Sequence, residues 1–169
     1  MSNKYLDHLQ VIVEDDANRQ LINGLSQHHS LQQRRLQVLP PAGGWRVVLD
    51  ILNDPATIQQ ITAFGKRHLL LLIDFDGQFT DRLALYEKYK ASMTPAVSDR
   101  IYLLGCLHEP EKLRAAFNHS KSFEQFGREL ADECAPYPAQ NLWQHEHLQH
   151  NANELSRLVA QVKPFLFVS

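Results

Sequence analysis

Four short apolar runs limit what this chain can fold into. They are Val11-Ile12-Val13, the segment 36–39 (LQVL), the segment 69–73 (LLLLI) and the segment 101–104 (IYLL). Each has the length of a strand and is too short for a helix. The segment 69–73 has no polar residue, the composition of a strand covered on both faces. Between the runs, apolar residues recur at helical spacing: Leu21, Ile22 and Leu25; Val47, Val48, Ile51 and Leu52; Leu83, Leu85, Tyr86 and Tyr89. Beyond them, Phe123, Phe126 and Leu130 mark one more helix, and Leu155, Leu158, Val159 and Val162 the last. The boundaries are marked too. Glu14-Asp15-Asp16 suit a helix start, Pro40-Pro41 stop a strand before the Gly43-Gly44 turn, and Glu109-Pro110-Glu111 open a helix. The segment 165–168 (FLFV) reads as a final short strand. Strand–helix alternation of this kind predicts an α/β fold: a doubly wound, mainly parallel sheet of about four strands flanked by helices, with further helices at the C-terminal end.

Length and composition narrow the possibilities further. A chain of 169 residues is the size of one domain, and 44% hydrophobic residues are enough for a core. The net charge of −2 does not mark the whole surface as a nucleic-acid binder, so any such contact must come from a local patch. No apolar run approaches the ~20 residues that span a bilayer. Cys106 and Cys134 show neither metal nor disulfide spacing and suit a reducing compartment. The expectation is a soluble, cytoplasmic, single domain with a core over about 9–117 and a helical portion over about 118–169.

In open parallel sheets, ligands bind beyond the carboxyl ends of the strands. Here those ends are acidic. Glu14, Asp15 and Asp16 follow the first run, Asp74-Phe75-Asp76-Gly77 the third, and His108, Glu109 and Glu111 come soon after the fourth. Residues two apart on a strand share a face, so Asp74 and Asp76 are expected to reach one ion while Phe75 turns into the core. Crowded carboxylates repel, and a hard divalent cation relieves that conflict. Mg²⁺ takes one or two carboxylates together with water and phosphate oxygens, and it activates water toward a phosphodiester. Helix capping and loop formation account for the same acids without any ion.

These segments resemble the Toprim (topoisomerase–primase) fold. Val11-Ile12-Val13-Glu14 before a helix is similar to its first motif, and the segment 69–77 (LLLLIDFDG) to its second, a strand ending in Asp-x-Asp. The segment 38–44 (VLPPAGG) resembles the strand–Gly-Gly–helix link of the overcoming-lysogenization-defect type of Toprim nuclease, and the segment 100–104 (RIYLL) its next strand. The resemblance implies Mg²⁺- or Mn²⁺-dependent phosphodiester chemistry in a nuclease or related phosphotransfer protein, with a role in defence against mobile DNA. Glu14 would be the general acid/base or a metal ligand, Asp74 and Asp76 metal ligands, and Glu111 or Glu109 would complete a second metal position. Where the family usually has Gly after the motif glutamate, this chain has Asp15. It contains no phosphate-binding Gly-x-x-x-x-Gly-Lys-Ser/Thr loop, so an ATPase partner subunit or a homodimer is expected, with nucleic acid as substrate. A non-catalytic interaction subunit that keeps the fold is the alternative. A second resemblance is to response-regulator receivers: Asp15 and Asp16 on Mg²⁺, Asp74 or Asp76 as phosphoacceptor, and Lys163-Pro164 as the late motif. The interval from Asp16 to Asp74 is longer than a receiver's.

Arg46, just after Gly43 and Gly44, is the basic residue expected to meet a phosphate at the site, and Trp45 either stacks on a base or packs into the core. His108 is a candidate proton-transfer group. His145, His147 and His150 cluster with Glu146. His147 and His150 at i and i+3 have zinc-ligand spacing on a helix, but no cysteine or Gly-rich turn supports a zinc site and a solvated, partly packed helix start is the favoured reading.

Overall fold

All four apolar runs pair as one parallel sheet in the computed structural model, which describes residues 5–134 and 141–168. The strands are β1 (His8–Val13), β2 (Leu36–Val38), β3 (Arg67–Leu72) and β4 (Ile101–Leu104), in the order β2-β1-β3-β4. β1 and β3 pair over six residues, from His8↔Arg67 to Val13↔Leu72. Two strands start earlier than the apolar runs because polar residues there are satisfied inside. His8 is buried, with Nδ1 2.8 Å from the Leu6 carbonyl and Nε2 accepting from Arg67 Nε at 3.2 Å.

Helices cover both faces, as expected of a doubly wound sheet. α1 (Asp16–Ser26) connects β1 to β2 on one face; α2 (Trp45–Asp50) and α3 (Pro55–Ala63) return to β3 on the other. α4 (Phe79–Ala91) and the short α5 (Pro95–Ser98) lead to β4. Ile12, Leu69, Leu71, Ile73, Ile101 and Leu103 pack against α2 to α5 through Val48, Leu49, Ile61, Tyr86 and Val97. The opposite set, Leu9, Val11, Leu70, Leu72, Tyr102 and Leu104, meets Ile22 of α1. It also meets Leu158 and Leu166 of the C-terminal helices α8 (Ala152–Gln161) and α9 (Lys163–Leu166). The expected strand at 165–168 does not join the sheet: Phe165 and Leu166 belong to α9, with Pro164 in its first turn, and only a lone bridge, Leu31↔Phe167, has strand character. Its backbone bonds go to the segment 30–32, through Gln32 N–H to the Leu166 carbonyl and Val168 N–H to the Ser30 carbonyl, both 2.8 Å, instead of to the sheet. No helix among the described residues is long and apolar enough to cross a membrane.

Between β4 and α8 lie α6 (Pro110–Ala116) and α7 (Phe123–Asp132). α7 opens with a capping box between Ser122 and Gln125 and lies along α1 at backbone contact. A Cβ on Gly127 would lie 1.8 Å from the Leu21 carbonyl oxygen, and one on Gly24 would lie 1.9 Å from that of Glu124. The two glycines are a reciprocal lock between the helices.

The free edge of β4 is closed by side chains rather than by a fifth strand. The Tyr86 hydroxyl lies 3.0 Å from the Ile101 carbonyl oxygen, to which Arg157 Nη1 also donates at 3.0 Å. Glu154 Oε1 accepts from Leu103 N–H at 3.3 Å, and Asn151 bonds both backbone groups of Gly105. An open strand edge is a template for pairing with other chains; here α4 and α8 occupy it.

Gly127→Ala must push α7 off α1, and urea unfolding is expected to show a loss of about 1–3 kcal/mol. Gly65→Ala, with nothing within 4 Å of the added methyl, is expected to unfold at the wild-type midpoint.

Candidate functional site

β1 leads outward to β2, whereas the next crossover returns past β1 to β3 and on to β4. The direction in which strands are added to the sheet therefore reverses between β1 and β3, and the crevice beyond their carboxyl ends is the place where open α/β sheets bind ligands. The β1–β3 register delivers Glu14 and Asp74 to it together. Glu14 N–H donates to the Leu72 carbonyl at 3.0 Å, extending the pairing by a residue. Asp74 N–H in turn donates to Glu14 Oε2 at 2.7 Å.

Asp15 caps α1, its Oδ1 accepting from Asn18 N–H at 3.0 Å. Asn18 is wholly buried. Its Nδ2 donates to Asp15 Oδ1 at 3.1 Å and to Asp74 Oδ1 at 3.0 Å, tying the two carboxylates together. Its own Oδ1 has no partner. Asp74 is 6% exposed, whereas the Asp76 side chain is 48% exposed, on a left-handed backbone with φ 49°. Both are held by Arg82 of α4, which is 5% exposed. Arg82 Nη1 donates to the Asp74 carbonyl and, at 2.9 Å, to Asp76 Oδ2, while its guanidinium lies 4.1 Å over the Trp45 ring. Arg82 Nε has no partner.

Burial pushes the Asp74 carboxyl up to about 8; the Asn18 hydrogen bond opposes this, and the charges of Asp15, Glu14 and Asp76 add to it. Glu14 is raised for the same first reason, burial, against the Asp74 N–H that favours its charged form. Four carboxyl groups thus surround one crevice, with a single buried guanidinium as counter-charge.

The structure brings Glu14 and Asp74 into hydrogen-bond contact, with the Asp76 side chain half-exposed beside them and Phe75 in the core. Asp74 and Asp76 do not share a strand face, however: β3 ends at Leu72, and Arg82 Nη1 joins the Asp74 main-chain carbonyl, not its carboxyl group, to the Asp76 carboxylate. Gly43 adjoins the cluster, its N–H donating to the Glu14 carbonyl at 2.9 Å, and Gly44 stands just before α2. Arg46 does not reach the cluster; it lies along α2, exposed, with Nε 3.2 Å from Asp50 Oδ1. Glu111 sits in the first turn of α6 and acts with Asp74 and Asp15 on the Cys106 thiol, but it makes no hydrogen bond to Glu14, Asp74 or Asp76. Lys163 donates its Nζ to the Cys134 carbonyl. The histidines divide. The His108 carbonyl accepts from Asp76 N–H at 3.1 Å, and the His108 and His147 rings lie 5.6 Å apart. His147 stacks on His145, whereas His150 turns away to the Gly105 carbonyl, 2.7 Å from Nε2. His147 and His150 therefore do not share a ligand face.

Asn18 and Arg82 were not singled out in the sequence, although each carries a signal. Arg82 falls three residues after Phe79 and four before Tyr86, on the apolar stripe of α4, where a lone charge needs a buried partner. Asn18 follows the capping Asp15 by three residues, one helical turn from the acids.

Among the described residues, no three His, Cys, Asp or Glu side chains form a group that could hold a metal ion alone. The crevice suits instead the lighter protein donor set of Mg²⁺, one or two carboxylates completed by water and phosphate oxygens. Glu14 and Asp74 supply such a pair, and Asn18 faces them with its amide nitrogen. Compared with known proteins, the chain matches no family model, no curated protein and no solved structure.

An unfolded Asp titrates near 4, so the folded chain retains a proton on Asp74 that the unfolded chain releases. Stability is then lost as pH rises from about 4 through about 8. Asp74→Asn removes that loss. In chelator, urea unfolding is expected to find the variant more stable than wild type by roughly 1–3 kcal/mol at pH 8 and equal to it near pH 4; equal stability at both would contradict the assigned repulsion.

Proposed function

We propose that the crevice between Glu14 and Asp74 binds Mg²⁺ or Mn²⁺ and carries out phosphodiester chemistry of the Toprim type, as a nuclease or related phosphotransfer protein. One observation carries this reading: Glu14 and Asp74 are hydrogen-bonded into one unit at the switch point, with Asp15 and Asp76 close enough to raise Asp74's proton affinity. A cation is the simplest relief of that repulsion, and Asn18 Oδ1 is a buried acceptor still in want of an electropositive partner. Glu14 and Asp74 would hold the ion, with water and phosphate oxygens completing its shell and Asp76 beside them. When bound, it supplies a more acidic water and neutralises charge on the phosphate. Glu14 accepts or returns the proton, a task suited to a carboxyl whose proton affinity burial has raised. Asn18 keeps Asp15 and Asp74 from separating, and Arg82 anchors the 74–77 loop from beneath. Asp15, where the family usually has Gly, adds a carboxylate without blocking the crevice, because its Oδ1 is engaged in capping α1.

Arg82 favours a second reading. Its guanidinium already neutralises Asp76, as expected of a module that keeps the fold and binds a protein partner without catalysis.

Cleavage of plasmid, single-stranded DNA and RNA with Mg²⁺ or Mn²⁺ separates the two. The account expects wild-type cleavage that falls by at least 10²-fold in both Asp74→Ala and Glu14→Gln. Equal cleavage by all three proteins assigns the activity elsewhere, and none by any of them favours the non-catalytic module.

A further inference from the structure

Four carboxyl groups crowd the crevice, enough by number to draw in two divalent ions. Their partners divide them. Glu14 Oε2 accepts from the Asp74 N–H, and Asp74 Oδ1 from Asn18 Nδ2, so both are held by neutral donors. Asp15 is committed as the cap of α1, its Oδ1 taking both the main-chain and the side-chain nitrogen of Asn18. Asp76 is committed to a cation already in place. Its Oδ2 accepts from Arg82 Nη1 at 2.9 Å.

Asp76 cannot readily exchange that partner for an ion. Arg82 is 5% exposed, with the Asp74 carbonyl and the Trp45 ring as its other contacts and Nε without a partner. Turning Asp76 away would leave a buried guanidinium with no carboxylate, and arginine does not shed its proton. The backbone is fixed as well. Phe75 N–H donates to the Cys106 carbonyl at 3.0 Å, Asp76 N–H to that of His108 at 3.1 Å and Gly77 N–H to that of Leu107 at 2.8 Å. These bonds pin the loop to the chain beyond β4 and hold Asp76 at φ 49°. Glu111, in the first turn of α6, makes no hydrogen bond to any of the four acids and so offers no replacement.

We propose that Arg82 stands in for a second cation: the crevice admits one divalent ion, at Glu14 and Asp74, while the buried guanidinium takes the charge of Asp76. This rests on the metal reading above and sets how many ions that site accepts. Arg82 is thereby a positioning residue that acts through Asp76.

The test counts Mn²⁺ bound per chain at pH 7, from the loss of the free-ion electron paramagnetic resonance signal. Wild type is expected to bind one ion. Asp76→Asn, whose new side chain tolerates a left-handed backbone, is expected to keep that ion. Arg82→Gln, which frees Asp76, is expected to gain a second, close enough to broaden the bound signal of the first. If Arg82→Gln fails to fold, wild type and Asp76→Asn decide. Two mutually broadened ions in wild type overturn the inference and leave the metal reading standing. Loss of the ion in Asp76→Asn, or a single ion in a folded Arg82→Gln, also overturns it. No ion in wild type overturns both.

Discussion

Six residues of parallel pairing between β1 and β3 are the constraint on which the rest of this structure depends. That register sets Glu14 beside Asp74 and allows Asp74 N–H to reach the Glu14 carboxylate, at the place where the strand order reverses. A slip of one residue would turn Leu9, Val11 and Val13 toward the wrong helices and separate the two acids. The same pairing places Leu72 so that its carbonyl takes the Glu14 N–H. Core packing and site geometry are thus consequences of one alignment.

Around that alignment the molecule balances unfavourable charge with a few buried polar groups. Asn18 bridges Asp15 and Asp74; Arg82 bridges the Asp74 carbonyl and Asp76 and stacks on Trp45. Neither is fully satisfied, as Asn18 Oδ1 and Arg82 Nε show. The β4 edge, by contrast, is closed thoroughly by Tyr86, Asn151, Glu154 and Arg157. Asn141, His147 and His150 also carry an unpartnered buried atom, so it is the crowding of Glu14, Asp15, Asp74 and Asp76 that sets the candidate site apart.

Much of this was legible in the residues. Continuous apolar runs ending in Glu14 and in Asp74-Phe75-Asp76 identified the inner strands and their acidic ends, because a strand buried on both faces admits no polar alternation. Strand starts at His8 and Arg67 were hidden, since burial there depends on a hydrogen bond between side chains 59 residues apart. The segment 165–168 read as a strand because its apolar composition also suits one turn of helix closing a sheet face, and only tertiary contacts choose between them. Arg46 stands out among the basic residues of the sequence through its nearness to the Gly43-Gly44 turn, and Arg82 has no such neighbour. Sequence proximity carries no information about which guanidinium α4 turns inward.

The central claim is that the Glu14–Asp74 crevice binds a divalent cation, which relieves the repulsion between its carboxyl groups. Titration with Mg²⁺ and Mn²⁺, followed by isothermal calorimetry at pH 7 for wild type and Asp74→Asn, tests it without reference to any substrate. The account predicts saturable binding to wild type with proton release, because a carboxyl pushed up to about 8 must ionise to accept the ion, and binding weakened at least tenfold in the variant. Absence of binding to wild type, or equal binding to both proteins, would contradict it.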